Sequence, residues 1–559
     1  MNSESPRFLE ELTRVPRVAY FSMEFAIRDE IPTYAGGLGV LAGDLMRSAA
    51  DLGVAMVGVS LVSRHGYFRQ ELTADGEQVE KPDLWEPARF ATHLPTSVCV
   101  TIGTREVWID GWLMIVDSVH GGGVPVILLD TDVERNAAAD RALTDALYGG
   151  DTTYRLAQEI VLGIGGVRML RALGFSIREY HMNEGHSALL ALELLRDEQA
   201  RGAPPHRALQ AVRLRANFTT HTPVEAAHDR FPYALVEQML GAVDAGLLRS
   251  LGGEHDLNLT MVARETSGMV NGVTCLRSGE TLFAEPIPSI SNGVHSRFWT
   301  CAPMAAVFDR YIPEWTSEPE LLTRAARIPA EELLAAHGQA KELLLAEVRQ
   351  RTAVSLDPRM PIVAFARRMT SYKRPDLLFE DVEALRAIGR AQPFQIVVAG
   401  KAHPRDDRGK QMIRALHEYA RALGSEVPTV FVPNYGLALA KLLVAGSDVW
   451  LNTPLPPLEA SGTSGMKAAH NGVPSLSVRD GWWIDGWIEG VTGWAIDGEH
   501  ESHAAALRAK LRDVVLPLYA AGGEPWAAVM RGAIVHNASL FNSHRMMRRY
   551  AAEVYLGAA

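Results

Sequence analysis

A chain of 559 residues, 47% of them hydrophobic and 22% charged, has the composition of a packed globular protein and not of a disordered or fibrous one. Its 55 Lys and Arg against 66 Asp and Glu leave a formal charge of −11, which repels nucleic acid and anionic lipid at long range. A phosphate-handling protein of this balance therefore needs a local cluster of cations. At about 150 residues per domain, the length predicts two to four domains. The N-terminal stretch MNSESPRFLEELTR is polar and acid-bearing, unlike a signal peptide, and no apolar run approaches the roughly 18 residues of a spanning helix. A cytoplasmic protein without membrane contact is the expectation. Cys99, Cys275 and Cys301 are odd in number and lack metal-ligand spacing, so they predict three buried thiols and neither a disulfide framework nor a zinc site.

In chain order, the first half contains strand-like runs at 18–22, 54–61, 125–129, 179–182 and 216–220, separated by long, irregular stretches. After the first run, YAGGLGVLAGDLMRSAADLG (34–53) puts Gly36, Gly37 and Gly39 directly before an amphipathic helix. Glycine lets the backbone approach a ligand, and a helix start offers unpaired N–H groups to an anion. A plain tight turn fits the same residues, and from Gly37 onward so does the dinucleotide pattern G-x-G-x-x-A, which is weak alone. The fourth run leads into HMNEGHSALLALELL (181–195), which presents Asn183, Glu184 and His186 together before a helix. Glu184 and His186 are too close for the helical two-His zinc motif, and both structural hydrogen bonding and a substrate site remain open. The fifth leads into FTTHTPVEAAHDRFP (218–232), with His221 at the strand end followed by Pro223 and Glu225. A lone His is commonly structural, but a strand end is where functional loops sit.

A linker is expected near 292–303. Beyond it, runs at 361–366, 394–399, 429–432, 448–452 and 475–478 alternate with helical stretches at 376–390, 409–423 and 436–445, the signature of parallel βαβ units. A doubly wound domain follows, and a second one in the first half would face it across a cleft. FARRMTSYKRPDLLF (365–379) concentrates Arg367, Arg368, Lys373 and Arg374 in one turn, the cation cluster that the net charge demands; a solvated basic turn is the alternative. LPPLEASGTSGMKAAHNGVP (455–474) places Glu459, Ser461, Gly462, Thr463 and Gly465 in a donor-rich loop before a short helix. Such a loop can cradle phosphate or sugar hydroxyls, or be a turn only. Its spacing does not match G-x-x-x-x-G-K-[ST], which argues against an ATPase.

EASGTSGMK resembles the cofactor-lysine segment of the α-glucan phosphorylase family, which comprises glycogen, starch and maltodextrin phosphorylases, and the other four motifs match that family in order. The likeness is to the short form of bacteria and archaea and runs from residue 18 to about 490. It implies an α/β fold of two facing Rossmann-like doubly wound domains (GT-B type), with the active site in the interdomain cleft. The expected domains are 1–295, with the glycine loop and glucan-binding elements, and 296–559, binding cofactor and phosphate; return of the terminal helix to the first domain is left open.

By the same resemblance, Lys467 carries pyridoxal 5′-phosphate as a Schiff base. Arg367, Lys373, Tyr435, Gly462, Thr463 and Ser464 surround that cofactor, while Arg368 and Lys373 bind the reacting phosphate. Gly36 and Gly37 lie over the phosphate. Glu184, His186, His221, Asn292, Tyr372, Glu459, Ser461 and Gly462 hold sugar, with His221 beside the glucosyl ring. No metal is expected. Departures from the family at Glu184, Thr370, Gly436 and Gly465 leave fine substrate preference open.

The implied reaction is retaining phosphorolysis of α-1,4-glucan or maltooligosaccharide by orthophosphate to glucose 1-phosphate, with the cofactor phosphate relaying a proton. The motifs contain no pair of carboxylates placed for hydrolysis. A nucleotide-sugar glycosyltransferase of glycogen-synthase type and a silent glucan-binding homologue are the rivals, and the cofactor lysine argues against both. Among partners, a second copy of the chain is left open.

Overall fold

The computed structural model describes residues 12–221, 228–273 and 287–556. The chain forms two compact units: Met1–Tyr67 with Pro82–Ser291 and Met546–Ala559, and Phe68–Lys81 with Asn292–Arg545. In chain order the strands are β1 (Arg17–Phe21), β2 (Met56–Leu61), β3 (Arg69–Leu72), β4 (Gln78–Lys81), β5 (Thr92–Ile102), β6 (Arg105–Asp117), β7 (Gly123–Asp130), β8 (Ile177–Asn183) and β9 (Ala216–Thr219). They continue as β10 (Arg230–Pro232), β11 (Asp256–Asn258), β12 (Met269–Asn271), β13 (Ile362–Ala366), β14 (Gln395–Ala399), β15 (Thr429–Val432), β16 (Val449–Asn452), β17 (Ser475–Val478) and β18 (Gly493–Ile496).

The first unit is built on an eight-stranded sheet of order β12-β9-β8-β1-β2-β7-β6-β5. The strands from β12 to β7 pair in parallel, and β7-β6-β5 form an antiparallel meander at one edge. All five runs expected in this half lie in the sheet. The long β5 and β6 were not anticipated: over 107–113 β6 alternates, Val107, Ile109 and Leu113 being buried and Trp108, Asp110 and Trp112 partly exposed, while farther on Met114 and Val116 of the second face are buried as well. The alternation over 107–113 is that of a half-covered antiparallel strand. In contrast, β2 (MVGVSL) is buried throughout, as a central parallel strand requires.

Helix α1 (Gly37–Asp51) corrects the expectation of an amphipathic helix, since every residue from Gly39 to Ala50 is buried. Ala42, Ala49, Ala50 and Gly43 let it sit close to its neighbours; a Cβ at Gly43 would stand 2.2 Å from the Ala26 carbonyl oxygen. At the far end of the chain, Tyr550 and Tyr555 close over the sheet, and the Tyr555 hydroxyl lies 2.7 Å from His181 Nδ1.

The second unit holds six parallel strands in the order β15-β14-β13-β16-β17-β18. Counted from β13 this is 3-2-1-4-5-6, the order of a doubly wound sheet whose loops meet a ligand beyond the carboxyl ends of the strands. Strand β18 and helix α2 (Ala330–Thr352) are additions to the sequence expectation. Helix α2 is tied to the sheet by a buried ion cluster: Asp448 lies 2.8 Å from Lys341 Nζ and 2.9 Å from His337 Nε2, and accepts the Ile362 N–H at 2.7 Å. Burial opposes ionisation of Asp448, but its bonds to His337 and Lys341 prevail and hold the carboxyl below its ordinary range.

The stretch 376–390 is not one helix. A short 3-10 turn, Leu377–Phe379, is followed by a fresh start at Asp381, whose carboxylate caps Ala384 N–H at 2.9 Å ahead of Val382–Ala391. The hairpin β3–β4 belongs to this unit and braces two strand-end loops. Gln70 exchanges hydrogen bonds with Asn434 and donates to the Gly400 carbonyl, while Gln78 donates to Ala402. The thiol expectation is also corrected: Cys99 and Cys301 are only half-buried, and Cys275 lies outside the described residues.

Candidate active site

In the second unit, the loops after β13, β15, β16 and β17 bring together most of the residues singled out in the sequence. The turn after β13 descends from Arg367 to the 3-10 turn Ser371–Lys373, and Arg374 follows in the left-handed region at φ 44°. Lys373 Nζ and Arg367 Nη2 both donate to Glu459 Oε2, at 2.5 and 2.8 Å. Among the described residues, Arg367 Nε and Nη1 are buried without a hydrogen-bond partner. Two unpartnered nitrogens of a permanent cation are chemically suited to an anion. Arg368 is exposed, yet near enough to Lys373 and Tyr372 to act on them electrostatically.

Arg374 separates from the expected cation cluster. Its guanidinium binds the carbonyl oxygens of Thr453 and Pro454 at 2.9 and 2.7 Å, which makes it a brace between the β13 and β16 loops.

The charges of the cluster shape one another. Burial and then Arg367 push the Lys373 ammonium down to about 7, against the pull of Glu459. Burial opposes ionisation of Glu459, but Arg367 and Lys373 outweigh it and hold the carboxyl at about 2. Glu459 is thus a fixed anion. Its backbone N–H donates to Asp480 Oδ2 at 2.9 Å, and the other Asp480 oxygen takes the Gly481 N–H. Burial raises Asp480 to about 6. Tyr435, beside Arg367 on the loop that Gln70 braces, is pushed up to about 12 by burial.

Lys467 lies in helix α3 (Ser464–Ala469), which follows Thr463. The loop before it turns at Gly462 (φ 70°), and Ser464 Oγ accepts the Trp450 indole N–H at 3.0 Å. Ser461 points its hydroxyl at the Gly462 carbonyl. The Lys467 ammonium sits 4.3 Å from the centroid of the Trp299 ring. Asn471 fixes that pairing by donating to the carbonyls of both Trp299 (2.9 Å) and Lys467 (3.1 Å) and accepting from Cys301 N–H. Gly465 packs so closely that a Cβ would meet the Trp482 ring at 2.5 Å, so the asparagine common in the resembled family has no room here. Asn292, buried, has its Oδ1 without a partner.

In the first unit, β8 and β9 deliver a second cluster. Glu184 stands in the left-handed region (φ 67°) with its carboxylate accepting the His221 backbone N–H. His221 Nε2 is 2.6 Å from Asn183 Oδ1, and Asn183 donates in turn to Ser22 Oγ, which assigns the ring proton to Nε2. Burial lowers His221 to about 3, so the ring is neutral. His186 is lowered to about 4 by burial; its Nδ1 is buried without a partner while Nε2 lies 3.5 Å from Asp229. Arg155 links Asp229 (2.8 Å) to Glu159 (3.1 Å). Pro223 and Glu225 lie outside the described residues.

The glycine loop holds a carboxylate of its own. Glu24 Oε2 accepts the amides of Ala35 (2.5 Å) and Gly36 (3.2 Å), and Glu24 Oε1 accepts the Tyr148 hydroxyl at 3.0 Å. Gly37 has open space around it.

A family model described as Carbohydrate phosphorylase matches residues 29–102 and 252–489. The chain is 37% identical to a maltodextrin phosphorylase of Thermococcus litoralis, over 99% of this chain and 72% of that one. It is 36% identical to a glycogen phosphorylase of Mycobacterium tuberculosis, over 97% and 71%, and 33% identical to one of Aquifex aeolicus, over 96% and 86%. The chain belongs to the carbohydrate phosphorylase family.

Among the residues of this phosphorylase chain that sequence reasoning passed over are Glu24, Tyr148, Trp299, Asn471 and Asp480. Glu24 and Asp480 follow β1 and β17 directly, so the strand-end position that drew attention to the other motifs marked them as well. Trp299 and Asn471 carry no such signal, since their role depends on a pairing 172 residues apart.

Proposed function

We propose that this chain is an α-glucan phosphorylase that transfers the terminal glucosyl unit of an α-1,4-glucan to orthophosphate. The observation that carries this reading is the buried pair Arg367 and Lys373 gathered on the fixed anion Glu459, with Arg367 Nε and Nη1 unpartnered among the described residues, a setting for the two anions, cofactor phosphate and orthophosphate, that the reaction brings together. A site of this kind takes an anion in a setting where charge-assisted hydrogen bonds are strong.

In this reading Arg368 and Lys373 bind orthophosphate, and Gly36 and Gly37 of the glycine loop are phosphate contacts as well. Glu459, Ser461, Gly462, Tyr372 and Asn292 hold the glucosyl unit, and Glu184, His186 and His221 bind sugar from the first unit. The phosphate oxygen bonds to C1 as the glycosidic C1–O bond breaks, and the leaving oxygen takes a proton. Glu459, held at about 2, has no proton to give at neutral pH, and both oxygens of Asp480 are engaged by backbone amides. His221 is neutral, with its Nε2 proton committed to Asn183. None of these three supplies a general acid; in this reading Lys373, at about 7, holds the orthophosphate, and the proton reaches the leaving oxygen from that phosphate. The neutral His221 ring shapes the sugar site.

The residues fit pyridoxal 5′-phosphate. Lys467 is a buried amine on the small-residue helix α3, and Arg367, with Tyr435, Thr463 and Ser464, would hold the cofactor's phosphate end. When bound, the cofactor supplies an ionisable phosphate group.

The test is product analysis: maltodextrin and orthophosphate together give glucose 1-phosphate, and maltodextrin in water gives little glucose. Arg368→Ala raises the KM for orthophosphate about tenfold or more, the loss of a charge-assisted contact of about 1.5–3 kcal/mol. Chain extension only from a nucleotide-glucose donor, or binding of glucan without turnover, overturns the reading.

A further inference from the structure

Glu24 is a buried carboxylate that the proposed reaction does not use, and it lies on the loop that is to receive an anion. It is 1% exposed. One oxygen accepts two consecutive backbone amides, Ala35 at 2.5 Å and Gly36 at 3.2 Å. The other accepts the Tyr148 hydroxyl at 3.0 Å. The fit is close enough to dictate sequence. A Cβ at Gly39 would stand 2.8 Å from Glu24 Oε2, so only glycine lets α1 begin over the carboxylate.

Tyr148 is itself held firmly. Its backbone is in the left-handed region at φ 55°, which costs a non-glycine residue free energy and persists only where surroundings enforce it. The Arg155 guanidinium carbon lies 4.9 Å from its ring centroid, and the His186 ring centroid is 5.6 Å away. Arg155 is anchored by Asp229 and Glu159.

This arrangement divides the donors of the glycine loop. Ala35 and Gly36 are spent on Glu24. The first backbone bond into α1 runs from Val40 N–H to the Gly36 carbonyl at 3.2 Å, so the amides of Gly37, Leu38 and Gly39 have no carbonyl within the helix to bond. A carboxylate beside an anion site is electrostatically adverse. Its presence is explained if geometry outweighs charge: two amides locked from behind leave the next ones fixed in direction.

We propose that Glu24, steadied by Tyr148, is a positioning residue for orthophosphate, holding the Ala35 and Gly36 amides so that the amides from Gly37 onward are presented to the phosphate. This rests on the α-glucan phosphorylase reading. It assigns Gly36 to the scaffold and leaves the anion contact to Gly37 and its successors.

The experiment is steady-state kinetics in the direction of phosphorolysis on the holoenzyme, with thermal-shift titration by orthophosphate alone. Glu24→Ala raises the KM for orthophosphate at least tenfold, moves that for maltodextrin less than threefold, and abolishes the phosphate-induced rise in melting temperature. Glu24→Gln keeps an oxygen for the two amides and an amide for the tyrosine, and restores the phosphate KM to within threefold of wild type. Tyr148→Phe, which deletes a single hydroxyl, raises the phosphate KM severalfold and carries the test should Glu24→Ala fail to fold. An unchanged phosphate KM in Tyr148→Phe and Glu24→Ala, equal losses in the Gln and Ala variants, or parallel shifts for both substrates overturn the proposal. A wild-type enzyme that forms no glucose 1-phosphate overturns the parent reading instead.

Discussion

The Lys467 ammonium rests 4.3 Å from the centroid of the Trp299 ring, and a single side chain, Asn471, binds the backbone of both residues. The aromatic face compensates a buried cation by about 0.5–2 kcal/mol. A carbonyl cofactor needs an amine of this kind. Borohydride reduction in the presence of pyridoxal 5′-phosphate is expected to fix the cofactor on Lys467, as read by peptide mapping. Label on another lysine removes the assignment. Trp299→Leu is expected to weaken cofactor retention several-fold in equilibrium dialysis.

Lys373 gives the phosphate site a pH dependence. Its folded-state value, about 7, lies below the ordinary lysine value of 10.5, so folding works against the charged form. Between about 7 and 10.5 the unfolded chain binds more protons, and the Lys373 contribution to stability rises with pH across that window; below 7 both states are protonated and the penalty is complete. Phosphate binding needs the ammonium, so kcat/KM for orthophosphate falls as pH rises above about 7. Lys373→Arg keeps its charge at every accessible pH. The falling limb of the profile is expected to move up by at least one pH unit in that variant, and an unmoved limb would assign it to another group.

Asp448 is a test of the scaffold. Asp448→Asn leaves Lys341 buried without its counter-charge, which costs about 3–5 kcal/mol. Denaturant unfolding should show that loss as a lower midpoint with an unchanged slope. In the wild type the depressed carboxyl contributes stability above its unfolded value of 3.8, and that contribution is lost as pH falls through the lower folded value.

Gly465 faces Trp482 with no space for a Cβ. Gly465→Asn is expected to cost about 1–3 kcal/mol through overpacking, read as a lower melting temperature, and to be partly rescued by Trp482→Leu. A variant as stable as the wild type would show that Trp482 moves aside freely.

The parallel strands were legible because apolar runs bounded by turns are a local signal: β13 to β17 lie within a residue or so of their expected bounds. The cation turn and the small-residue loop were legible for the same reason. What escaped notice depends on partners far away. The β3–β4 hairpin joins the second unit through Gln70 and Gln78, which bond to atoms more than 320 residues on. Strand β6 alternates in burial over 107–113, but tryptophans at the partly exposed positions blur the pattern. Arg374 was grouped with its neighbours by charge, yet its left-handed backbone turns it toward two carbonyls, a matter of conformation that four adjacent cations do not encode.

Because Glu459 offsets one of the two positive charges of Lys373 and Arg367, an arriving phosphate meets a net charge of one at that spot and not of two. Mobile salt ions then have less unpaired charge to screen there. Phosphate affinity should depend on ionic strength more weakly than a site with several cations ordinarily does, and Glu459→Gln, by uncovering those cations, should make the dependence steeper.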